Sequence, residues 1–292
     1  MTISAIIAVI AVQYGLELQS LTPHTFSRTA DWRHIHGLGI DPSDHNILYI
    51  ATHGDFYQSI NSGPPVKVDK ERADYMAFNA PPITGIPLYA SGHPSTGGNT
   101  GLIKSIDGGQ SWESVSKVLE PPVDFHAMSV SKSDPNTIIG FDSAARGLFK
   151  TVDAGKTWET LQYPDYISAL AISPIDSHLV FAGTGKGIFQ SNDGAKSWNL
   201  LDEYKGITIL ALTFDENQTL YTSNQFGISR SSDFGKSWEN LSDPGLTITS
   251  IAVDTQNKII YVAGYSPDGY QEIYRSKDDT KSWDIIGTNK GL

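Results

Sequence analysis

The sequence predicts an all-β fold, a six-bladed β-propeller whose blades are four-stranded antiparallel sheets. Two observations predict it: a tryptophan-containing octet recurs five times along the chain, and a fixed order of strand-like segments surrounds each copy. The composition agrees, because 39% of the 292 residues are hydrophobic and only 18% are charged, which favours a packed core over a disordered chain.

The octets share the pattern Ser/Thr-x-Asp-x-Gly-x-Ser/Thr-Trp. They read SIDGGQSW at 105–112, TVDAGKTW at 151–158, SNDGAKSW at 191–198, SSDFGKSW at 231–238 and SKDDTKSW at 276–283. Their tryptophans lie 40 to 46 residues apart, which is the length of one four-stranded blade. Ala195 and Thr280 stand where the other copies have glycine, so we expect these two turns to be strained or differently shaped.

Strand-like segments rich in β-branched and aromatic residues place the octets within the blades. An inner strand opens each repeat, as in HIHGLGID, DYMAFNAP, DFHAMSVS, YISALAIS, TILALTFD and TITSIAVD, and two further strands follow. These segments give six blades, at 34–72, 73–120, 121–164, 165–204, 205–244 and 245–288; seven blades are the alternative. The first blade has no octet, and residues 20–33 are predicted to supply a strand that closes the ring.

Net charge and cysteine content exclude several kinds of function. The charge of −11 and the pI near 5.1 oppose contact with phosphate backbones, so we expect no nucleic-acid partner. The absence of cysteine excludes disulfides, thiolate metal sites and a cysteine nucleophile.

Residues 1–19 form an apolar N-terminal segment, predicted to be the remnant of a signal or membrane anchor. Its core, ISAIIAVIAV from Ile3 to Val12, is too short to span a bilayer comfortably. A buried strand of the propeller is the alternative. We therefore expect an extracytoplasmic protein, secreted or held at the outer face of a membrane, with residues 20–292 as a single propeller domain.

Five of the eight histidines fall near strand ends of the first three blades. In a propeller the inner strand starts on the face where the second strand ends, so these side chains are predicted to meet on one face. Asp74 and Asp124, at the openings of the second and third inner strands, join the same cluster. The histidines are His34, His36, His53, His93 and His126.

This cluster predicts a transition-metal site. Neutral imidazoles together with a carboxylate suit zinc, copper, nickel or iron, and copper or zinc is the cofactor we expect. His34 and His36 lie two residues apart, so both rings can emerge from the same side of one strand. The alternative is that each histidine hydrogen-bonds backbone groups at a strand end and lines the mouth of the channel.

The octets resemble the Asp box of the bacterial neuraminidase repeat superfamily. Together with HIHGLGID, ATHGDF, SGHP and DFHAMSVS, they make the chain similar to a branch of exported prokaryotic Asp-box propellers usually described as glycosyl hydrolase-like. The resemblance implies a turn in which the aspartate accepts backbone hydrogen bonds and the tryptophan packs between sheets, so these aspartates are structural. They are Asp107, Asp153, Asp193, Asp233 and Asp278.

Binding of a ligand, or of a protein or glycan partner, through the histidine-rich face is the function that these patterns favour. One alternative is a glycoside hydrolase that uses Asp74 or Asp124 as acid/base on the same face. Another is a metal-free scaffold, similar to propellers that assist the assembly of membrane complexes. Sialidase activity is not expected, because the few arginines give no set of three at strand openings. Further ligand-binding candidates, for which turn or packing roles are the alternative, are Asp55, Tyr75, Asp165 and Tyr166.

Overall fold

The computed structural model describes Trp32 and residues 34–290. These residues form six four-stranded antiparallel sheets and one short 3-10 helix, Asp202–Tyr204. The strands of the first three sheets are β1 (Ile35–Ile40), β2 (Ile47–Thr52), β3 (Phe56–Ile60), β4 (Val66–Lys67), β5 (Ala73–Asn79), β6 (Leu88–Pro94), β7 (Leu102–Ser105), β8 (Glu113–Ser116), β9 (Phe125–Val130), β10 (Ile138–Asp142), β11 (Leu148–Thr151) and β12 (Glu159–Leu161). The strands of the last three sheets are β13 (Ile167–Ile172), β14 (Val180–Thr184), β15 (Gly187–Ser191), β16 (Asn199–Leu200), β17 (Ile209–Phe214), β18 (Leu220–Asn224), β19 (Gly227–Ser231), β20 (Glu239–Leu241), β21 (Thr247–Asp254), β22 (Ile259–Tyr265), β23 (Gln271–Ser276) and β24 (Asp284–Thr288).

Each sheet consists of four strands that are consecutive in the chain. The inner strands contact one another in order, and β1 contacts β21, so the ring is closed. The prediction of six four-stranded blades is therefore confirmed. The predicted closing strand at 20–33 lies, apart from Trp32, outside the described residues, as does the apolar segment at 1–19. Within the described part of the chain, no helix is long and apolar enough to cross a bilayer.

The hydrophobic core is divided among the six interfaces between neighbouring blades. Each interface has its own cluster of buried side chains, with large ones such as Phe56, Phe125 and Phe181 fully enclosed. Burial of a side chain of this size stabilises the fold by about 1.5–3 kcal/mol. Because the core lies between blades, the axis of the ring stays open as a channel.

All five octets fold into the same turn between the third and fourth strands of a blade. Asp107 Oδ1 accepts hydrogen bonds from the Ser105 hydroxyl and the Ser111 amide, both at 2.9 Å, and Oδ2 accepts one from the Ser111 hydroxyl at 2.6 Å. The same three bonds surround the other four octet aspartates, which are Asp153, Asp193, Asp233 and Asp278.

The two octets that lack glycine keep this turn in a strained form. Ala195 and Thr280 have φ values of 73° and 65°, in the left-handed region that glycine favours. Their tryptophans also change partner, because Trp198 and Trp283 donate to carbonyls of the preceding blade. In the other three octets the indole donates to the carbonyl of the glycine. Of the two predicted alternatives, strain is confirmed by these φ values, while the turn keeps its hydrogen bonds and only the partner of the tryptophan differs.

Five of the six inner strands contain a β-bulge close to the end at which they enter the blade, and β5 contains one near its other end. In β5 the bulge lies between Met76 and Asn79, which flank Ala77 at a φ of 46°. A bulge leaves one residue out of the ladder and turns its side chain in a new direction. The residues left out in the other five strands all line the channel, and they are His36, His126, Ser168, Leu210 and Thr249.

Side chains join blade six to blade one. The amide of Leu38 donates to Ser250 Oγ, and the amide of Ile35 donates to Gln271 Oε1, both at 3.0 Å. These bonds satisfy backbone donors that face a neighbouring sheet instead of a neighbouring strand. Trp32 is buried in the same interface.

Candidate metal centre

The centre of the site is a compact group made by His93, Asp124 and His126. One ligand atom from each of them lies within 4.8 Å of the others. His93 comes from the end of β6, Asp124 immediately precedes β9, and His126 is the bulged residue of β9. His126 Nε2 lies 2.8 Å from Asp124 Oδ2, and His93 Nε2 lies 3.3 Å from the same oxygen. The group thus spans the seam between blades two and three.

The tautomer of His93 is set by the loop that follows it. Its Nδ1 lies 3.0 Å from the carbonyl oxygen of Gly98, so Nδ1 carries the proton and donates. A neutral His93 then directs the lone pair of Nε2 at Asp124 Oδ2, and two acceptors face each other unless a proton or a cation lies between them. Histidine ligands of metals characteristically donate their other N–H to a carbonyl or carboxylate in this way.

Asp124 is fixed by the neighbouring strand end of its own blade. Its Oδ2 accepts a hydrogen bond from the Ser143 hydroxyl at 2.8 Å, and its amide donates to Asp142 Oδ1 at 2.9 Å. Asp142 is itself held by the guanidinium of Arg146, with an NH2–Oδ1 distance of 2.8 Å. The Asp124 side chain is almost completely buried, yet Oδ1 has no hydrogen-bond partner among the described residues.

A second group of side chains adjoins this centre on blades one and two. His53 Nδ1 lies 3.0 Å from Asp74 Oδ2, which leaves His53 Nε2 free of that contact. The ring centroids of His34 and His36 are 4.4 Å apart, and those of His36 and His53 are 6.2 Å apart. In the described structure His36 Nε2 is buried without a partner. Asp74 also pairs with His93 across the β5–β6 ladder, so it connects the two groups.

We call the seven residues of these two groups the histidine face: His34, His36, His53, Asp74, His93, Asp124 and His126. The structure therefore brings together all five predicted histidines and both predicted aspartates. The histidine face lies at one mouth of the channel. The channel holds a cavity of about 220 Å³ lined by residues of all six inner strands. Because the surrounding walls are bulged inner strands, the imidazoles of His36 and His126 face this cavity from different blades.

Electrostatics favours neutral imidazoles at the inner side of the face. Burial lowers the pKa of His36 from the ordinary 6.5 to about 2, and repulsion from four neighbouring histidines adds to the effect. Burial, followed by repulsion from His53 and His126, also lowers the pKa of His34. Burial alone raises the pKa of Asp124, but hydrogen bonds from His126 and Ser143 outweigh it and leave the pKa below its ordinary value. Neutral imidazoles beside an ionised carboxylate are a donor set suited to a transition metal.

The four further ligand-binding candidates have other contacts. Tyr75 is buried, and its hydroxyl donates to Asp69 Oδ2 at 3.1 Å. Asp55 is buried and forms an ion pair with Lys67. Burial of Tyr75 agrees with the packing role that was its alternative, whereas Asp55 has an ion pair that was not predicted. The other two candidates lie at the edge of the face, and they are Asp165 and Tyr166.

Asp165 and Tyr166 precede the inner strand of blade four. Asp165 pairs with Lys186 at 3.1 Å, while Tyr166 is 47% exposed. The Tyr166 hydroxyl lies 3.4 Å from the carbonyl oxygen of Ser143, whose side chain holds Asp124. Tyr166 is therefore the one of the four that offers an open aromatic surface next to His93, Asp124 and His126.

Sequence patterns did not point to the residues that support the site. Ser143, Asp142 and Arg146 belong to a strand end without histidine, and the Gly98 carbonyl belongs to the backbone. The segment FDSAARG, in which a buried aspartate precedes an arginine by four residues, is the only signal that the sequence offered.

Comparisons with known proteins agree on the fold alone. No protein-family model matches the chain, and no curated protein matches it. A GH74 enzyme of Niastella koreensis shares 16% identity over 86% of this chain, with a TM-score of 0.65; the match covers 45% of that enzyme. A streptogramin B lyase shares 14% identity, with 90% of this chain and 85% of the lyase covered and a TM-score of 0.59. YCF48 bound to D1 peptide shares 16% identity over 86% of this chain and 82% of its own, with a TM-score of 0.52. The chain thus spans about half the length of the GH74 enzyme, and at these identities the shared feature is the propeller.

Proposed function

We propose that this propeller binds a copper or zinc ion between His93, Asp124 and His126, and that the ion recruits a ligand or protein partner to the histidine face. The observation that supports the proposal is the placement of three donor atoms within 4.8 Å of one another. The hydrogen bond from His93 Nδ1 to the Gly98 carbonyl strengthens it, because that bond directs Nε2 toward the carboxylate.

The donor set suits these metals better than magnesium or calcium. Two imidazoles and one carboxylate match the ligands of zinc and copper, whereas the harder cations prefer oxygen alone. Three protein donors leave at least one coordination position open in a four-coordinate site. A ligand or a partner side chain fills that position in our proposal, with the exposed ring of Tyr166 as an adjacent contact. His36 and His53 would line the approach.

Metal content is the measurement that tests this function. We expect about one equivalent of copper or zinc in protein loaded and then freed of excess metal, as one donor group predicts. The paired substitution His93→Ala/His126→Ala should abolish it. His178→Ala is a matched control, since His178 is exposed and contacts Asp176 in an outer turn. Equal metal content in the paired variant and in the control would contradict the proposal.

Glycoside hydrolysis is the second candidate, favoured by the fold shared with the GH74 enzyme and by two carboxylates on one face. The lowered pKa of Asp124 suits a base or nucleophile and is unfavourable for a general acid. Asp74 would then have to donate the proton. Hydrolysis of a chromogenic glycoside that is lost in Asp74→Asn and insensitive to chelators would favour this candidate over the metal site.

A metal-free scaffold is the third candidate, and the likeness in fold to YCF48 bound to D1 peptide is its support. Partner capture that persists after chelation and in the paired histidine variant would favour it. An extracytoplasmic location, membrane association through the N-terminal segment and membership of the Asp-box propellers remain our proposals. Fractionation of cells that express the full chain tests the location.

A further inference from the structure

In three of the five blades that are followed by an octet, a side-chain contact links the blade to the octet of the next one. In each of these blades the third strand carries a serine or threonine near its end, and the residue just before it makes the contact. That residue is Gln58, Lys150 or Arg230, and it reaches the fourth residue of the next octet. Gln58 donates to the Gly108 carbonyl at 2.9 Å, and Lys150 donates to the Gly194 carbonyl at 3.2 Å. Arg230 forms the strongest version, a two-pronged ion pair with the carboxylate of Asp279, with an NH2–Oδ2 distance of 3.2 Å.

Arg275 occupies this position in blade six, and the blade that follows it is blade one. That blade has no octet: aligned on Ser59, its turn has Asn61 where the octets have aspartate, and Ser62 stands at the fourth position. The Ser62 hydroxyl lies 3.2 Å from the Tyr261 hydroxyl and offers no carboxylate to the arginine. The guanidinium of Arg275 therefore lacks the partner that Asp279 provides for Arg230.

The remaining contacts of Arg275 do not replace that partner. In the described residues its one ion pair is with Asp284, at 3.5 Å, and the Asp284 side chain is 70% exposed. Arg275 Nε is buried without a hydrogen bond. Arg230, by comparison, uses its Nε for Glu239 at 2.8 Å and keeps both terminal nitrogens for Asp279.

A cavity of about 290 Å³ opens beside Arg275, on the face of the ring opposite the histidine face. We call it the seam pocket. Lys277 adds a second positive charge, and amides and hydroxyls supply hydrogen-bond donors around it. Two carboxylates besides Asp284 contact its lining, and both are occupied: Asp254 by His45 at 2.8 Å and by the Asn257 amide, and Asp44 by the Asn46 amide at 2.9 Å. The polar lining consists of His45, Asn46, Asn61, Ser62, Asn257, Tyr261, Arg275 and Lys277.

We propose that the seam pocket binds a carboxylate carried by a ligand, in the place that Asp279 takes beside Arg230. The geometry of that internal pair supplies the template, because the planar guanidinium matches the two oxygens of a carboxylate. The charge supports it as well: in a chain of net charge −11, this pocket brings an arginine and a lysine together beside the side chains of Asn61 and Ser62. Recognition of an acidic ligand at this face is independent of the metal group at the other.

The test follows the side-chain Nε–H signals of the six arginines by NMR while succinate is added to the full chain. Arg275→Gln assigns the signal of interest by its loss. We expect a saturable shift of the Arg275 signal with no shift of the Arg230 signal. Lys277→Ala should weaken succinate binding about threefold, as removal of an exposed charge does. Lys236→Ala, an exposed lysine in the octet of blade five, is the matched control and should bind like the parent protein.

Several results would overturn the assignment. A shift that rises linearly with succinate and is matched by sodium chloride means that there is no site. Inorganic phosphate that saturates at lower concentration than succinate replaces the carboxylate with a phosphate as the ligand. Equal weakening by Lys277→Ala and Lys236→Ala places the effect in the overall charge of the protein. Because Lys277 is exposed, the comparison of these two variants does not depend on how Arg275→Gln folds.

Discussion

The guanidinium of Arg146 joins the two chain segments that position Asp124. Its Nε and NH2 donate to the two oxygens of Asp142 at 2.9 and 2.8 Å, and its NH1 and NH2 donate to the carbonyls of Pro121 and Pro122 at 2.9 and 3.0 Å. Asp142 in turn accepts the amide of Asp124. The substitution Arg146→Ala removes four hydrogen bonds and leaves the Asp142 carboxylate, whose side chain is fully buried, without a counter-ion.

The size of the effect follows from burial. Removing one partner of a buried ion pair destabilises a protein by about 3–5 kcal/mol. The Arg146 side chain is 29% exposed, so water replaces some of the lost contacts and we expect the lower end, about 3 kcal/mol. At the proposed metal site the affinity should fall about tenfold, because Asp142, which accepts the amide of Asp124, loses the guanidinium that holds it.

The stabilisation by the Asp142–Arg146 ion pair depends on pH and should decrease in acid. Burial raises the pKa of Asp142, but the hydrogen bonds from Arg146 outweigh it and hold the pKa below the ordinary 3.8. The stabilisation is therefore complete above about pH 4 and is lost as the pH falls below that value. The difference between the parent protein and Arg146→Ala should be full at neutral pH and should shrink as the medium becomes acidic.

Urea unfolding followed by tryptophan fluorescence, repeated at several pH values, measures the loss of stability and its pH dependence. Arg146→Lys is the control, since it keeps the charge and loses the planar fork, and we expect it to fall between the parent protein and the alanine variant. A loss of less than about 1 kcal/mol at neutral pH would refute the reasoning, because it would mean that Asp142 tolerates burial without its partner. A loss that stays constant down to about pH 3 would refute the electrostatic explanation.

Three further outcomes are expected from the repeat geometry. Gly109→Ala should lower the free energy of unfolding by about 3 kcal/mol in urea titrations, because φ is 87° and the new Cβ would lie 2.3 Å from the Phe56 ring. The control Gly185→Ala, which has open space around it, should change that free energy by less than about 0.5 kcal/mol. Ser91→Ala should cost about 2 kcal/mol in the same assay, because the buried amide of Phe125 loses its acceptor at 3.0 Å. Acid should unfold the ring cooperatively, because hydrogen bonds from the Thr157 hydroxyl and amide lower the pKa of Asp153 to about 2. The stabilisation by these bonds is present above the ordinary pKa of 3.8 and is lost as the pH falls through about 2. Far-ultraviolet circular dichroism against pH follows that transition, and a structure that persists well below pH 2 would contradict it.

The fold was predictable because its signals are local and repeated. Five octets fixed the blade length, and each makes the same bonds around its aspartate wherever it occurs. The topology of a propeller then placed His93 and His126 on one face without any knowledge of side-chain contacts. The blade length and the placement of these histidines depend only on where strands begin and end, and the strand pattern of the sequence indicates those positions.

The remaining features depend on contacts between segments that are distant in the chain. A strand pattern of period two cannot reveal a bulge, so the turn of His126 toward the channel was not predictable. Tyr75 and Asp55 stand near strand ends like the histidines, but Asp69 and Lys67, both in blade one, hold them. Whether a residue near a strand end faces the channel or packs away from it is decided by such partners.

The bulges have a consequence for how such a ring changes over evolutionary time. The bulged residue makes no ladder pairing, so a substitution there leaves the sheet and the interfaces between blades largely as they were. Five of the six blades thus each contribute one separately replaceable residue to the channel mouth: two histidines, a serine, a leucine and a threonine. Duplication of a blade copies the bulged position together with its residue, and single codon changes can then alter the mouth one blade at a time. A single scaffold can in this way acquire different chemistry at its channel mouth while the interfaces between blades maintain its stability.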